Sequence, residues 1–148
     1  MRLVQCPAEF EGGTLERSVF LAGGISNCPD WQTQLLEMLH DTDWTVLNPR
    51  RTDFDTADSS LAHAQIQWEH RHLRAASTIA FWFPPQTLCP ITLYELGAWS
   101  MTDKPLFVGV DPGYARRLDV VEQTRLVRSD VNVVDSLEML AGQLKGAL

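Results

Sequence analysis

Nowhere does this chain hold a run of apolar residues approaching the roughly 18 that cross a bilayer as a helix. A fold built on membrane spans is therefore excluded. Basic residues are also scarce: 12 Lys and Arg stand against 19 Asp and Glu, for a formal charge of −7. Phosphate backbones and anionic membrane surfaces are gripped by clustered cations. A general nucleic-acid or membrane-surface binder is excluded on that ground, whereas a small nucleotide, which needs only a local positive site, is not. Cysteine is limited to Cys6, Cys28 and Cys89, far apart, with no CxxC pair and no Cys/His spacing suited to a metal. His40, His63, His70 and His72 form no ligand pattern with Asp or Glu either, so no metal site is expected. An odd number of cysteines, behind an N-terminus without a long apolar core, leads to the expectation of a cytoplasmic protein. Internal repeats are missing, and so are the G-x-G-x-x-G and P-loop patterns.

What is present is a chain of 148 residues, 45% of them apolar, long enough to bury a core as one domain over 1–148. Five segments read as strands: 18–23, 44–49, 78–83, 105–110 and 131–135, with 2–7 as a possible extra edge. Most are near-continuous Val-, Ile- and Phe-rich runs, the pattern of strands covered on both faces. Helical patterns fall between them at 29–41, 59–76, 90–102 and 114–127, with a last one near 136–146. Such alternation predicts an α/β fold with a mainly parallel five-stranded sheet between helical layers. Ligands of open parallel sheets bind beyond the carboxyl ends of the strands. That rule selects Gly23, Gly24 and Ser26, then Asn48 to Asp55, then Pro84 to Glu95, then Asp111 to Tyr114.

Two acids in these stretches stand out. Glu69 shares a 4-3-4-3 spacing with Ala62, Ile66, Leu73 and Ala76, which puts it in the apolar stripe of its helix. A carboxylate there must be paired, hydrogen-bonded or open to a cavity; pairing with Arg50 or Arg51 is the structural alternative. Glu95 lies in a helix that is apolar on every side, near an N-terminus whose dipole favours an anion. One ionised carboxylate as nucleophile and one proton-holding carboxylic acid is the division of labour of retaining glycosyl transfer. The segment "NPRRTDFDTAD" adds Arg50 or Arg51 as a phosphate or carboxylate ligand and Asp53 and Asp55 as partners for a sugar or base, or as the acid in place of Glu69. Trp82, Phe83, Trp99 and Trp68 are candidates for a wall on which a base stacks. The glycine pair allows a sharp turn or the close approach of a ligand. Cys89, without an obvious His partner, is a weaker nucleophile candidate than Glu95.

The stretches "VFLAGGIS", "LNPRR", "IQWEHRHLRAASTIAFWFP" and "CPITLYELGAWS", followed by "KPLFVGV", resemble the nucleoside 2-deoxyribosyltransferase-like family over residues 18–110. The resemblance implies a flavodoxin-like three-layer α/β/α sandwich, no cofactor, nucleosides and nucleobases as small-molecule partners, and a dimer-based homo-oligomer. It implies that the Glu of Tyr94-Glu95-Leu96-Gly97 attacks C1′ of a 2′-deoxynucleoside, giving a covalent deoxyribosyl-enzyme that a second base resolves. Glu69 is the candidate acid. Gly23, Gly24, Asn48, Arg51, Asp53, Asp55, Trp82 and Tyr94 are the candidate substrate-binding residues. This chain departs from the family's better-known members in two places. The loop "QTLCPIT" carries no acid, and Phe20 stands where some members have a Tyr that supports the nucleophile. Rival readings are hydrolysis of a nucleoside or its 5′-monophosphate, NAD cleavage, and a non-catalytic nucleotide sensor.

Overall fold

The computed structural model describes residues 1–10, 17–51 and 59–147. Five strands, β1 (Arg2–Gln5), β2 (Ser18–Gly23), β3 (Thr45–Asn48), β4 (Thr78–Phe83) and β5 (Leu106–Val110), form one sheet. Every pairing is parallel, in the order β1-β3-β2-β4-β5. The helices are α1 (Trp31–Met38), α2 (Ser59–Ala75), α3 (Pro90–Ser100), α4 (Arg117–Val127) and α5 (Leu137–Gly146). This is an α/β fold consistent with a flavodoxin-like three-layer sandwich.

The strand set differs from the expected one at both ends. The possible edge segment is a true strand, paired residue by residue with β3 from Arg2↔Thr45 to Gln5↔Asn48. Residues 131–135 instead make a single bridge, Gly109↔Val134, fixed by two backbone hydrogen bonds to Val108 and Val110. The ladder stops there because Ser136 turns away to cap α5, its side chain accepting from the Met139 N–H. Similarly, α1 is capped by Asp30, which accepts from the Thr33 N–H.

Side-chain alternation along the strands sorts the core into two layers. Val19 and Leu21 of β2, with Ala80 and Trp82 of β4, pack against Trp31 and Leu35 of α1 and Leu140 and Leu144 of α5. Phe20 and Ala22, with Ile79, Phe81 and Phe83, face the other way, toward Trp68 of α2, Leu96 of α3 and Val120 of α4. Lys104, in the turn before β5, ties two helices of this second layer. Its ammonium donates to the carbonyls of Leu73, Arg74 and Ala76 at the end of α2 and lies 4.7 Å from the centre of the Trp99 ring on α3.

The connection from β2 runs to β3 on one side, and the chain then crosses to β4 on the other side of β2. The loops leaving β2 and β4 therefore diverge and open a crevice between their carboxyl ends, the place where such sheets bind ligands.

Candidate functional site

That crevice holds a cavity of about 240 Å³, walled by Phe20, Gly23 and Gly24 from β2 and its loop, Glu69 from α2, and Thr87, Cys89, Thr92 and Glu95 from the β4–α3 corner. A larger groove of about 560 Å³ runs beside it between α2 and α3, and Glu69, Ile91 and Glu95 line both spaces. The two acids singled out in the sequence thus stand together on the wall that divides a small cavity from an apolar groove.

The local reasons for their placement differ. On α2 the buried side chains are Gln65, Trp68, His72 and Leu73, with Ala76 just beyond its end, while Ile66 is 64% exposed. The buried stripe is rotated by about one residue from the one read in the sequence, because Trp68 and not Ile66 fills the space over Phe20. Glu69 stands at the edge of that stripe, half-buried and turned to the cavity. It accepts a hydrogen bond of 2.8 Å from the Gln65 amide, one helical turn earlier. The same Gln65 nitrogen donates to the Pro49 carbonyl, and its oxygen accepts from the Cys6 thiol. Burial raises the Glu69 carboxyl above the ordinary range, with the Gln65 bond opposing it.

Glu95 departs from the expectation of a dipole-stabilised anion. It is the sixth residue of α3, beyond the first turn over which the helix terminus acts. Burial, and then the neighbouring Glu69 charge, push its carboxyl up to about 8. Glu95 is therefore shifted toward its protonated form at neutral pH, by burial first and by the Glu69 charge second. Nor is α3 buried on all sides. Thr92, Leu96 and Ser100 face the core, whereas Ile91 and Tyr94 are 65% and 77% exposed along the groove.

The opposite wall is built from hydrogen bonds. The Gly24 carbonyl accepts from the Trp31 indole and the Gln32 amide. Gln32 in turn accepts from Arg50 Nε at 2.9 Å. The Arg50 guanidinium also donates to the Ile25 and Pro29 carbonyls and pairs with Asp30. This arginine, read in the sequence as an acid's or phosphate's partner, is occupied in holding the 24–30 loop. A Cβ on Gly23 would stand 2.4 Å from Trp31 and 2.5 Å from the Trp82 carbonyl; one on Gly24 would meet Thr87 at 2.8 Å. Both glycines are thus required by packing, while their backbones line the cavity.

The remaining candidates disperse. Asn48 is buried at the end of β3, where its side chain accepts from the Arg50 N–H and its carbonyl from the Cys6 N–H. Trp82 is a core residue of the α1/α5 layer, lying over Gly109; the parity of β4 points it away from the cavity. Tyr94 lines the groove and not the cavity. Among the described residues, Arg51 lines neither space. Asp53 and Asp55 lie outside the described residues. Sequence reasoning missed Gln65, Gln32, Thr87 and Thr92. Of these, the Gln65–Glu69 spacing of four on a helix is a readable signal. Among the described residues, no cluster of His, Cys, Asp and Glu is arranged to hold a metal, and no helix is long and apolar enough to cross a membrane.

The geometry offers two carboxyls of raised pKa on one cavity, whose described walls bring no cation to them. Such a pair can attack an electrophilic carbon and protonate a leaving group. No curated protein sequence matches the chain. The sequence pattern described as "Nucleoside 2-deoxyribosyltransferase like" matches residues 16–114, more than half of it. The chain belongs to the nucleoside 2-deoxyribosyltransferase-like family.

Proposed function

We propose that this protein is a nucleoside 2′-deoxyribosyltransferase that exchanges the nucleobase of a 2′-deoxynucleoside through a covalent deoxyribosyl–Glu95 intermediate. The observation that carries the reading is the convergence of Glu69 and Glu95 on one small cavity, where burial raises both carboxyls. In the reacting arrangement a proton resides on Glu69 and Glu95 is ionised. The Glu95 carboxylate forms a bond to C1′ as the N-glycosidic bond breaks, and the Glu69 proton passes to the departing base nitrogen. An incoming base then loses a proton to Glu69, its nitrogen displaces Glu95 at C1′, and the starting state returns. Glu95 keeps the role its motif suggests, and Gln65 holds the Glu69 carboxylate in place. The backbones of Gly23 and Gly24, with Thr87 and Thr92, are the proposed substrate contacts.

An uncharged nucleoside suits this site better than a 5′-monophosphate. The described walls are acidic, and Arg50 is committed to its own loop. Hydrolysis is the second reading, favoured by the open groove that lets water reach the same acids. Transfer without hydrolysis needs water kept out. We therefore extend the proposal to a dimer-based homo-oligomer in which another copy covers Ile66, Ile91 and Tyr94, an apolar exposure of the kind that marks interfaces. The single domain of 1–148 and a cytoplasmic location complete the reading; an odd number of cysteines suits a reducing compartment.

The test is product analysis by chromatography after incubation with 2′-deoxyinosine and free adenine. New 2′-deoxyadenosine that disappears in Glu95→Gln is the expected result. Free hypoxanthine and deoxyribose without exchange would replace transfer by hydrolysis. Silence toward purine and pyrimidine 2′-deoxynucleosides alike would overturn both.

A further inference from the structure

The β2–α1 loop and the β4–α3 loop meet at Gly24, and each brings a cysteine to the meeting point. A Cβ built on Gly24 would stand 3.0 Å from Cys89 Sγ and 3.1 Å from Cys28 Sγ. The two sulfurs, far apart in sequence, are thus no more than about 6 Å apart, and a bond of about 2 Å requires both side chains to turn toward each other. Gly24 has no side chain to stand between them. Cys28 follows Asn27 (φ 59°), and Cys89 itself has φ 47°, so each thiol is set by a residue in the left-handed region. Both thiols are free in the structure. We propose that Cys28 and Cys89 are a disulfide-forming pair, which when oxidised straps the two loops together across the wall of the cavity.

The two thiols differ in a way that orders the chemistry. Cys28 is half-buried, and the Arg50 guanidinium lies 3.9 Å from its sulfur. Burial raises its thiol, but Arg50 opposes that rise. Cys89 is 4% exposed and donates to the Thr87 carbonyl, and burial pushes it up to about 11. Cys28 is therefore the first to react, since the thiolate is the nucleophile. With a small-molecule disulfide as oxidant, the Cys28 thiolate attacks one of its sulfurs, forming a mixed disulfide and expelling one small thiolate. Cys89 gives up its proton and attacks the Cys28 sulfur, expelling the second. One S–S bond is broken and one formed. The protein loses two electrons and two protons, and the oxidant becomes two thiols. Cys6 is held elsewhere, beneath α2, with its thiol donating to Gln65 at 3.1 Å, and serves as an internal control.

This inference rests on sulfur geometry alone and stands whether or not the proposed reaction does. The experiment is treatment of the full chain with excess oxidised glutathione at pH 8.5, followed by alkylation in denaturant, peptide mapping and mass measurement. The expected product is a monomeric chain lighter by two hydrogens, with one alkylatable thiol at Cys6, a Cys28–Cys89 linked peptide, and full reversal by dithiothreitol. Cys28→Ser and Cys89→Ser should each prevent the link, and Cys6→Ser should leave it intact. A stable glutathione adduct on Cys28 with Cys89 still alkylatable would overturn the proposal. So would three unreacted thiols, or a link formed only between chains.

Discussion

The two walls of the cavity are built on opposite principles. On the β2–α1 side, polar groups are satisfied several times over: Gly24, Gln32, Arg50, Ile25, Pro29 and Asp30 share one continuous network. On the α2/α3 side, two carboxyls face the same space, and the Gln65 amide donates to Glu69. Buried polar groups normally find partners, and those left short of them raise the energy of the fold. The contrast separates a wall that holds shape from a wall that stores reactivity. Its acids are kept from full ionisation by burial and, for Glu95, by the charge of Glu69, and the cost of that arrangement is met by the well-bonded wall opposite.

The sharpest way to break the comparison is at Glu95. Glu95→Gln should lower turnover by at least about 10³-fold, because the attacking oxygen is gone. Its effect on stability should run the other way. The folded protein holds the Glu95 proton up to about 8, whereas the unfolded chain releases it near 4.5. Between those values the folded state binds more protons, so stability falls as pH rises from about 5 to 8. Glu95→Gln should flatten that fall, leaving the variant more stable than the parent at pH 8 and nearly equal to it at pH 5. Thermal denaturation across pH reads this directly; equal slopes in both proteins would show that Glu95 is not proton-bound in the fold.

Next in size is Glu69. Glu69→Gln should slow the reaction by about 10–100-fold, most for bases that leave poorly, as loss of a general acid does. Gln65→Leu refines the point. Removing the amide that favours the Glu69 anion should raise the Glu69 pKa, so the alkaline limb of the pH–rate profile, where the general acid loses its proton, moves to higher pH. An unmoved limb with a uniform loss of rate would make Gln65 a packing residue only.

The smallest effect on chemistry should come from the well-bonded wall. Arg50→Ala should cost about 1–3 kcal/mol of stability, with little dependence on pH between 5 and 8, since it strips partners from Gln32, the 25–29 carbonyls and Asp30. Turnover should fall less than tenfold. Urea denaturation and initial rates check both halves. A loss of rate as large as that of Glu95→Gln would place the arginine in the reaction and erase the contrast.

Much of this was legible in the sequence, for identifiable reasons. The parallel sheet was readable because doubly covered strands are continuous apolar runs, and the crevice because strand ends are marked by Gly23-Gly24 and Pro84-Pro85. Both acids were readable because a carboxylate in an apolar stretch is conspicuous. Their ionisation was not, since it depends on how far burial outweighs the helix terminus, and that is set by neighbours distant in sequence. The exposure of α3 was hidden for a related reason: an apolar helix reads the same whether a core or a second chain covers it. Trp82 was misplaced by one step of parity, as any strand residue is when only its position along the strand is considered. The role of Arg50 was hidden by its neighbours in sequence, which suggested a ligand, whereas its partners come from the preceding loop.

Lys104 gives the two acid-bearing helices a common hinge pin. Its ammonium gathers the last carbonyls of α2 while its charge sits against Trp99 of α3. From Glu69 to that end, α2 runs on for about 9 Å. A tilt of about ten degrees about the pin would sweep the Glu69 carboxyl through about 1.5 Å, and displacements of about 1 Å are enough to cost a well-aligned reaction about 100-fold. A single lysine at the far end of the sheet thus acts as the fulcrum of a lever whose tip is the proton donor, so the alignment of the two acids is set as much at the bottom of the molecule as at the mouth of the cavity.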